Sequence, residues 1–344
     1  MAAKFRRFLH VAAANTLHYS GALALRRWLR RWVLRKNEVC VLALHRVLTK
    51  AEWEESNSLP AMIILEETYL SLLAYLRRRF EVVSLDTFFG TPMHGLKSSK
   101  PLCLITFDDG WADTYSRAFP ALKKFSMPAV VFLTTGFIGT RGGFWVEQVQ
   151  KAWRTSSRRA RLQSAARETA EANVAACVDL ERLVEWLKRM PANERNVLLE
   201  RMLSTSGNGD GGADVDCMLS WDQARELSDA GVEIGSHTVS HPLLTYEDAS
   251  SVEQELLLSK QTLEEKLGKK VRAFAYPSGD WSERVREQAA RTGYGCAFTT
   301  QPSWHDRREN RYTISRVLLH EGNIASHQGQ FSPAMLDLTL AGWV

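Results

Sequence analysis

Two carboxylates stand side by side in Thr106-Phe107-Asp108-Asp109-Gly110, directly after the apolar run Leu102-Cys103-Leu104-Ile105. That run reads as a buried strand, and a strand end is a costly place for two like charges, each of which opposes ionisation of the other. A cation or a proton transfer that uses the pair removes the cost. Partners for a cation stand in Gly235-Ser236-His237-Thr238-Val239-Ser240-His241-Pro242, after a second strand-like run, Val232-Glu233-Ile234. His237 and His241 are four residues apart, so one helical turn or a tight loop aims both imidazoles at a single point. Adjacent residues point differently, so only one of Asp108 and Asp109 need bind the ion. One Asp and two His around an open-sided divalent metal, with room for a water and a substrate carbonyl, make a hydrolytic site. Zinc suits this donor set, which other divalent ions share. An isolated Asp-Asp-Gly is more often a turn; the His pair and the flanking strands weigh against that reading here.

The elements that must hold these residues alternate in type. Residues 39–44 read as a first buried strand ending at His45, 65–79 show helical periodicity, and 80–83 restart a strand. A helix over 111–125 follows the Asp pair, then a strand over 128–133. Continuous apolar runs alternating with helices indicate a parallel sheet covered by helices. Leu180, Leu183, Val184 and Leu187 repeat at i, i+3, i+4 and i+7 within a stretch poor in strand-like runs. We read a helical insertion over about 145–215, closing in the Gly-rich loop 204–212. The alternation then resumes with a helix over 221–230 capped by Ser220, a long helix over 250–267 stopped by Gly268, and strands over 271–276, 294–299 and 314–319. Both motifs fall at the C-terminal ends of strands, where α/β barrels carry their chemistry.

Composition narrows the class. Hydrophobic residues at 45% and charged ones at 24% describe an ordinary globular protein with a large core. No run of 18 apolar residues indicates a spanning helix. The net charge is +5, yet residues 1–36 alone hold nine Lys and Arg and no acid, so the remainder is net negative. The basic character belongs to an N-terminal arm, and no nucleic-acid partner is expected. Trp28 and Trp32 interleave with arginines there, as in an amphipathic helix lying on an anionic membrane surface; a helix packed on the body is the alternative. Five scattered cysteines without a Cys-x-x-Cys fit buried free thiols, hence a cytoplasmic location, peripheral at the inner membrane face. The organisation expected is an arm over 1–37, a barrel over 38–325 and a C-terminal tail over 326–344 whose sequence is uninformative.

Thr-Phe-Asp-Asp-Gly and His-Thr-x-x-x-His, followed by Ala273-Phe274-Ala275-Tyr276-Pro277-Ser278-Gly279 and Tyr312-Thr313-Ile314-Ser315-Arg316-Val317, resemble the motifs of the polysaccharide deacetylases, carbohydrate esterase family 4 or NodB homology domain. The resemblance covers roughly 38–320 and implies a distorted (β/α)7 TIM-like barrel. It assigns Asp109, His237 and His241 to the metal and leaves Asp108 as the base that deprotonates the attacking water. It places the Ser278 N–H, on the turn fixed by Pro277, among the donors to the oxyanion, with Tyr276 beside it at the substrate. Many members carry Arg two residues before this Pro, where it orients the catalytic Asp; this chain has Ala275, and Arg316 is the replacement candidate. The Phe-Ala-Tyr-Pro variant resembles the branch acting on exopolysaccharides and envelope glycans. In that branch a Leu-x-x-His motif stands early, matching Leu42-Ala43-Leu44-His45, so His45 is favoured as the proton donor over His320 in Val317-Leu318-Leu319-His320. Trp111 and Trp145 are weighed as sugar-stacking faces against core packing, and His10, His18, His94, His305 and His327 as surface residues. The expected activity is metal-dependent removal of N-acetyl groups from an amino-sugar glycan or its lipid-linked precursor. O-deacetylation or deformylation of similar sugars and catalytically silent glycan binding are the rivals.

Overall fold

The computed structural model describes residues 2–21, 25, 38–90, 100–141, 143–169, 179–203 and 215–342. Its centre is a ring of parallel strands. β1 (Glu38–Leu44) pairs with β5 (Leu102–Phe107), β5 with β6 (Val130–Leu133), β6 with β7 (Glu233–Ser236), β7 with β8 (Ala273–Ala275) and β8 with β9 (Cys296–Phe298), all parallel. Phe298 then bridges Ile314 in parallel, and β11 (Val317–Leu318) returns to Leu42 and Ala43 of β1. The segment 314–318 is therefore the seventh stave, and the chain forms the distorted (β/α)7 barrel expected. β4 (Glu81–Val82) adds to the start of β5, and β10 (His305–Asp306) runs antiparallel against the start of β1. A small parallel pair, β2 (Arg46–Leu48) with β3 (Ile63–Leu65), lies apart from the ring.

The strands bury both faces, which is why they read as continuous apolar runs. Val39, Val41, Leu104, Phe132, Ala275 and Phe298 form a cluster inside the ring, while Cys40, Leu42, Ile105, Leu133 and Phe274 pack outward against helices such as Glu66–Arg79 and Ala249–Leu267. Local signals set the helix ends: Ser220 and Gln223 form a capping box at Trp221–Asp229, and Gly268, at φ 65°, ends Ala249–Leu267.

Four helices, Trp145–Arg154, Ser156–Thr169, Leu180–Lys188 and Ala192–Leu203, follow β6 and precede β7. They share a hydrophobic cluster of their own, including Val149, Leu162, Leu183, Val184, Leu187 and Leu199. The Gly-rich loop expected after them, 204–212, lies outside the described residues.

The two chain ends meet. The tail, which the sequence left open, contains the buried helix Pro333–Leu340, whose Leu336 and Leu340 join the main core. Against it lies the helix Ala2–Tyr19, with Val11, Ala14 and Leu17 packed on Ala334, Met335 and Leu338, and His18 Nδ1 2.7 Å from Asp337 Oδ2. This part of the arm is packed on the body. Trp28 and Trp32 lie outside the described residues.

Candidate functional site

Strand parity aims the key side chains. Along β1 and β5 the inward positions are odd and even respectively, and two residues past the last inward position of each come His45 and Asp108. The pairing of Leu44 with Phe107 brings these residues side by side, and the Asp108 N–H donates to the Leu44 carbonyl at 2.9 Å. His237 immediately follows β7, and its N–H donates to the Leu133 carbonyl at 2.9 Å. Asp109 takes a left-handed conformation, φ 76°, which Asp tolerates better than most residues and which turns its carboxylate away from that of its neighbour. Gly110 follows at φ 91°; a Cβ there would meet Leu133 Cδ2 at 2.9 Å.

Asp109, His237 and His241 converge. Asp109 Oδ1 is 3.5 Å from His237 Nε2 and 3.5 Å from His241 Nε2, and the two imidazole nitrogens are 3.2 Å apart. Tetrahedral ligands held about 2.0–2.1 Å from a zinc ion are spaced by roughly 3.3–3.4 Å, so the triangle has the size a metal needs. The outer contacts agree. His237 Nδ1 lies 2.8 Å from the Ala275 carbonyl, which leaves Nε2 available to an ion, and the Trp111 indole N–H donates to Asp109 Oδ2 at 3.0 Å, which leaves Oδ1 available as well. Burial lowers the pKa of both imidazoles, as neutral ligands require. Burial and the neighbouring Asp108 push Asp109 up to about 8, a cost of ionisation that a cation there would offset. The residues fit a divalent metal.

Asp108 has a different environment. Burial opposes its charge, but Arg316 overrides this and holds the carboxyl well below its usual range. The guanidinium grips it two-fold, Nη1 to Oδ1 at 2.7 Å and Nη2 to Oδ2 at 2.7 Å, and is itself fully buried. Thr106 Oγ1 and the Thr299 carbonyl accept its other N–H groups, and it lies over the Phe132 and Phe298 rings inside the barrel. Arg316 thus stands on Asp108 in a chain with Ala275 in the third motif. His45 Nε2 is 3.8 Å from Asp108 Oδ2. Burial lowers the His45 pKa to about 4, with Asp108 opposing and Arg316 reinforcing the shift, so the imidazole is neutral at rest.

Other sequence-predicted residues fall elsewhere. Ser278 is exposed on the turn after β8 at φ 54°, and its N–H has no partner among the described residues. Tyr276 does not face a substrate: outward parity sends its ring into the core against Phe274, its hydroxyl donates to the Tyr312 carbonyl, and its N–H is taken by Phe298. Trp111 is likewise buried and serves Asp109 rather than a sugar face. His320 caps the helix Glu321–Ile324, its Nδ1 accepting the Gly322 N–H at 3.1 Å. His305 is buried and His18 is bound to Asp337, so neither is a plain surface residue; His94 lies outside the described residues.

Sequence reasoning missed the support beneath Trp111. Arg46, fully buried, lies 4.1 Å from the Trp111 ring and is anchored by Asp113 at 3.0 Å and Asp216 at 2.6 Å. Ser58 links this network to Glu147 on Trp145–Arg154, and Phe144 lies 5.1 Å from the His241 ring, so the four-helix insertion begins at the edge of the site. The only sequence signal was Arg46 following His45 at a buried strand end.

Comparison with known proteins agrees with this geometry. The family model described as polysaccharide deacetylase matches residues 95–297. YxkH of Bacillus subtilis (strain 168), which bears the polysaccharide deacetylase name, is 23% identical over 239 residues, 70% of this chain; the chain spans 59% of the length of YxkH. Among solved structures, the Streptococcus pyogenes deacetylase PplD in complex with acetate superposes with a TM-score of 0.54 at 18% identity, covering 87% of this chain and 100% of that one. IcaB from Ammonifex degensii gives 0.53 at 19% identity, covering 89% and 97%. The de-N-acetylase from Aggregatibacter actinomycetemcomitans gives 0.53 at 18%, covering 88% and 100%. These likenesses establish the shared fold, and the family match, spanning more than half the sequence, establishes that this chain belongs to the polysaccharide deacetylase family.

Proposed function

We propose that the protein is a metal-dependent de-N-acetylase of an amino-sugar-containing glycan or its lipid-linked precursor. The observation that carries this is the Asp109/His237/His241 triangle set beside an arginine-clamped Asp108. A divalent cation, with zinc favoured by the imidazole and carboxylate donors, would supply Lewis acidity toward a water and the acetyl carbonyl. Asp108, kept ionised by Arg316, takes the proton of the attacking water. His45 starts neutral, 3.8 Å from that carboxylate, placed to receive the proton and pass it to the leaving amine. The Ser278 N–H is the backbone donor assigned to the oxyanion. The de-N-acetylase named among the fold relatives supports the amide over the ester as the bond cleaved. We place the activity at the cytoplasmic face of an anionic membrane, a reading supported by the nine basic residues of 1–36.

Metal analysis combined with acetate release from N-acetylated and O-acetylated sugars tests the proposal. Stoichiometric divalent metal and acetate from N-acetylated sugars are expected. Release from O-acetyl esters alone would replace the amidase reading with an esterase, and binding without release would make the protein a glycan-binding module.

A further inference from the structure

Two metal-ligand candidates sit on one short, strained loop, and its hold comes from an unexpected direction. Between His237 and His241, Thr238 has φ 70°, and His241 itself has φ 58°. Both are left-handed conformations that non-glycine residues keep only when the surroundings enforce them. On one side the loop carbonyls are gripped by the turn after β6: the Thr135 N–H donates to Thr238 at 3.1 Å and the Gly136 N–H to Val239 at 2.9 Å. Only glycine allows that approach, since a Cβ at Gly136 would lie 2.7 Å from the Val239 oxygen. On the other side, the two central N–H groups of the loop converge on one side chain. Glu255 Oε2 accepts from Val239 N–H at 2.7 Å and Ser240 N–H at 3.0 Å, and Oε1 accepts the Ser240 hydroxyl at 2.5 Å.

Glu255 belongs to the long helix Ala249–Leu267, is half-buried, and bonds to Val239 and Ser240, between the two histidines. The insertion reaches the same place: Glu247 accepts the Ala192 N–H at 2.7 Å, and the buried Arg195 guanidinium is exposed to the charges of Glu247 and Glu255. A groove of about 600 Å³, lined by Val239, Pro242, Tyr246, Glu255 and residues 191–194 among others, separates the two parts. Replacing Glu255 therefore alters a groove wall and leaves the main core intact.

We infer that Glu255 is a positioning residue for the His237/His241 pair, holding the strained loop in its metal-binding shape through charge-assisted hydrogen bonds to the residues between them. The inference rests on the metal-site reading above and extends it to a residue outside the motifs. The test is titration of metal-free full-length protein with Co(II), followed by visible absorption, alongside thermal melting of the metal-free form. Glu255→Leu should weaken Co(II) binding about tenfold or more and change the absorption band, an effect of the size seen when outer contacts of metal ligands are lost. Glu255→Gln can place its carbonyl on the two N–H groups and its amide on Ser240 Oγ, so it should retain affinity within about threefold of wild type. Wild-type affinity and spectrum in Glu255→Leu would overturn the inference, as would equal losses in Leu and Gln. Should Glu255→Leu not fold, Glu255→Asp, too short to span both N–H groups and the hydroxyl, is read against the same two criteria. A wild-type protein that binds no Co(II) would instead bring down the metal reading itself, and this inference with it.

Discussion

At the scale of the residue, two adjacent aspartates are driven to opposite tasks by their surroundings. Arg316 holds Asp108 ionised, while burial and that neighbouring charge oppose ionisation of Asp109. His237→Ala and His241→Ala should each lose most bound metal by elemental analysis while keeping the far-UV circular dichroism of the wild type. Asp108→Asn should keep the metal and lose turnover by about 10²–10⁴-fold, the usual worth of a general base. Arg316→Met strands a buried carboxylate, so it should lower stability by about 3–5 kcal/mol in denaturant titration as well as turnover. His305 offers a separate pH test. Burial lowers its pKa from 6.5 to about 4, with Asp306 opposing the shift. The unfolded chain therefore takes up the proton first, and the His305 contribution, full above pH 6.5, is lost as pH falls toward 4. His305→Phe, which keeps the stack on Phe88, should flatten the dependence of the unfolding midpoint over that window.

At the scale of the element, the strand parity that directs His45, Asp108 and His237 inward also directs Tyr276 outward. A barrel stave thus decides which member of a motif can meet a substrate. The insertion is a packing unit with its own cluster, joined to the site through Glu147 and, through Ala192, to Glu247 just ahead of the helix Ala249–Leu267. Leu183, fully buried there, should cost about 2–5 kcal/mol when cut to Ala. Amide exchange should then rise across 145–203 before it rises in β1 or β5, and a uniform rise over the whole chain would show that the insertion does not open independently.

At the scale of the whole molecule, the two chain ends meet. Val11 and Ala14 are buried against the helix Pro333–Leu340, so deleting residues 1–21 should cost about 2–4 kcal/mol from lost apolar burial, read in denaturant titration. The arm's second part carries the membrane proposal. Full-length protein should co-sediment with anionic vesicles and be released by high salt, since each basic residue near such a surface contributes about 1 kcal/mol that screening removes. Deleting 1–36 should abolish co-sedimentation. Vesicle binding absent from the outset would leave the arm as packing alone. Among the described residues no helix is long and apolar enough to cross a membrane.

The sequence alone determined a good deal. The alternation of apolar runs and helical periodicity specified a parallel sheet covered by helices, because buried parallel strands must be apolar on both faces, and the family resemblance supplied its closure into a barrel. The donor set and its placement at strand ends pointed to an Asp/His/His metal site, and only the resemblance chose Asp109 over Asp108 for it. Arg316 was legible only as a candidate, because nothing across a separation of 208 positions states that two distant strands will adjoin; closure of the ring made it Asp108's partner. Tyr276 misled for the same reason, as an aromatic beside a motif carries no mark of which way its ring turns. Burial of the tail required a partner helix from the opposite end of the chain. The loop's dependence on Glu255 is invisible in one dimension, because hydrogen bonds to backbone N–H groups leave no pattern in the residues that donate them.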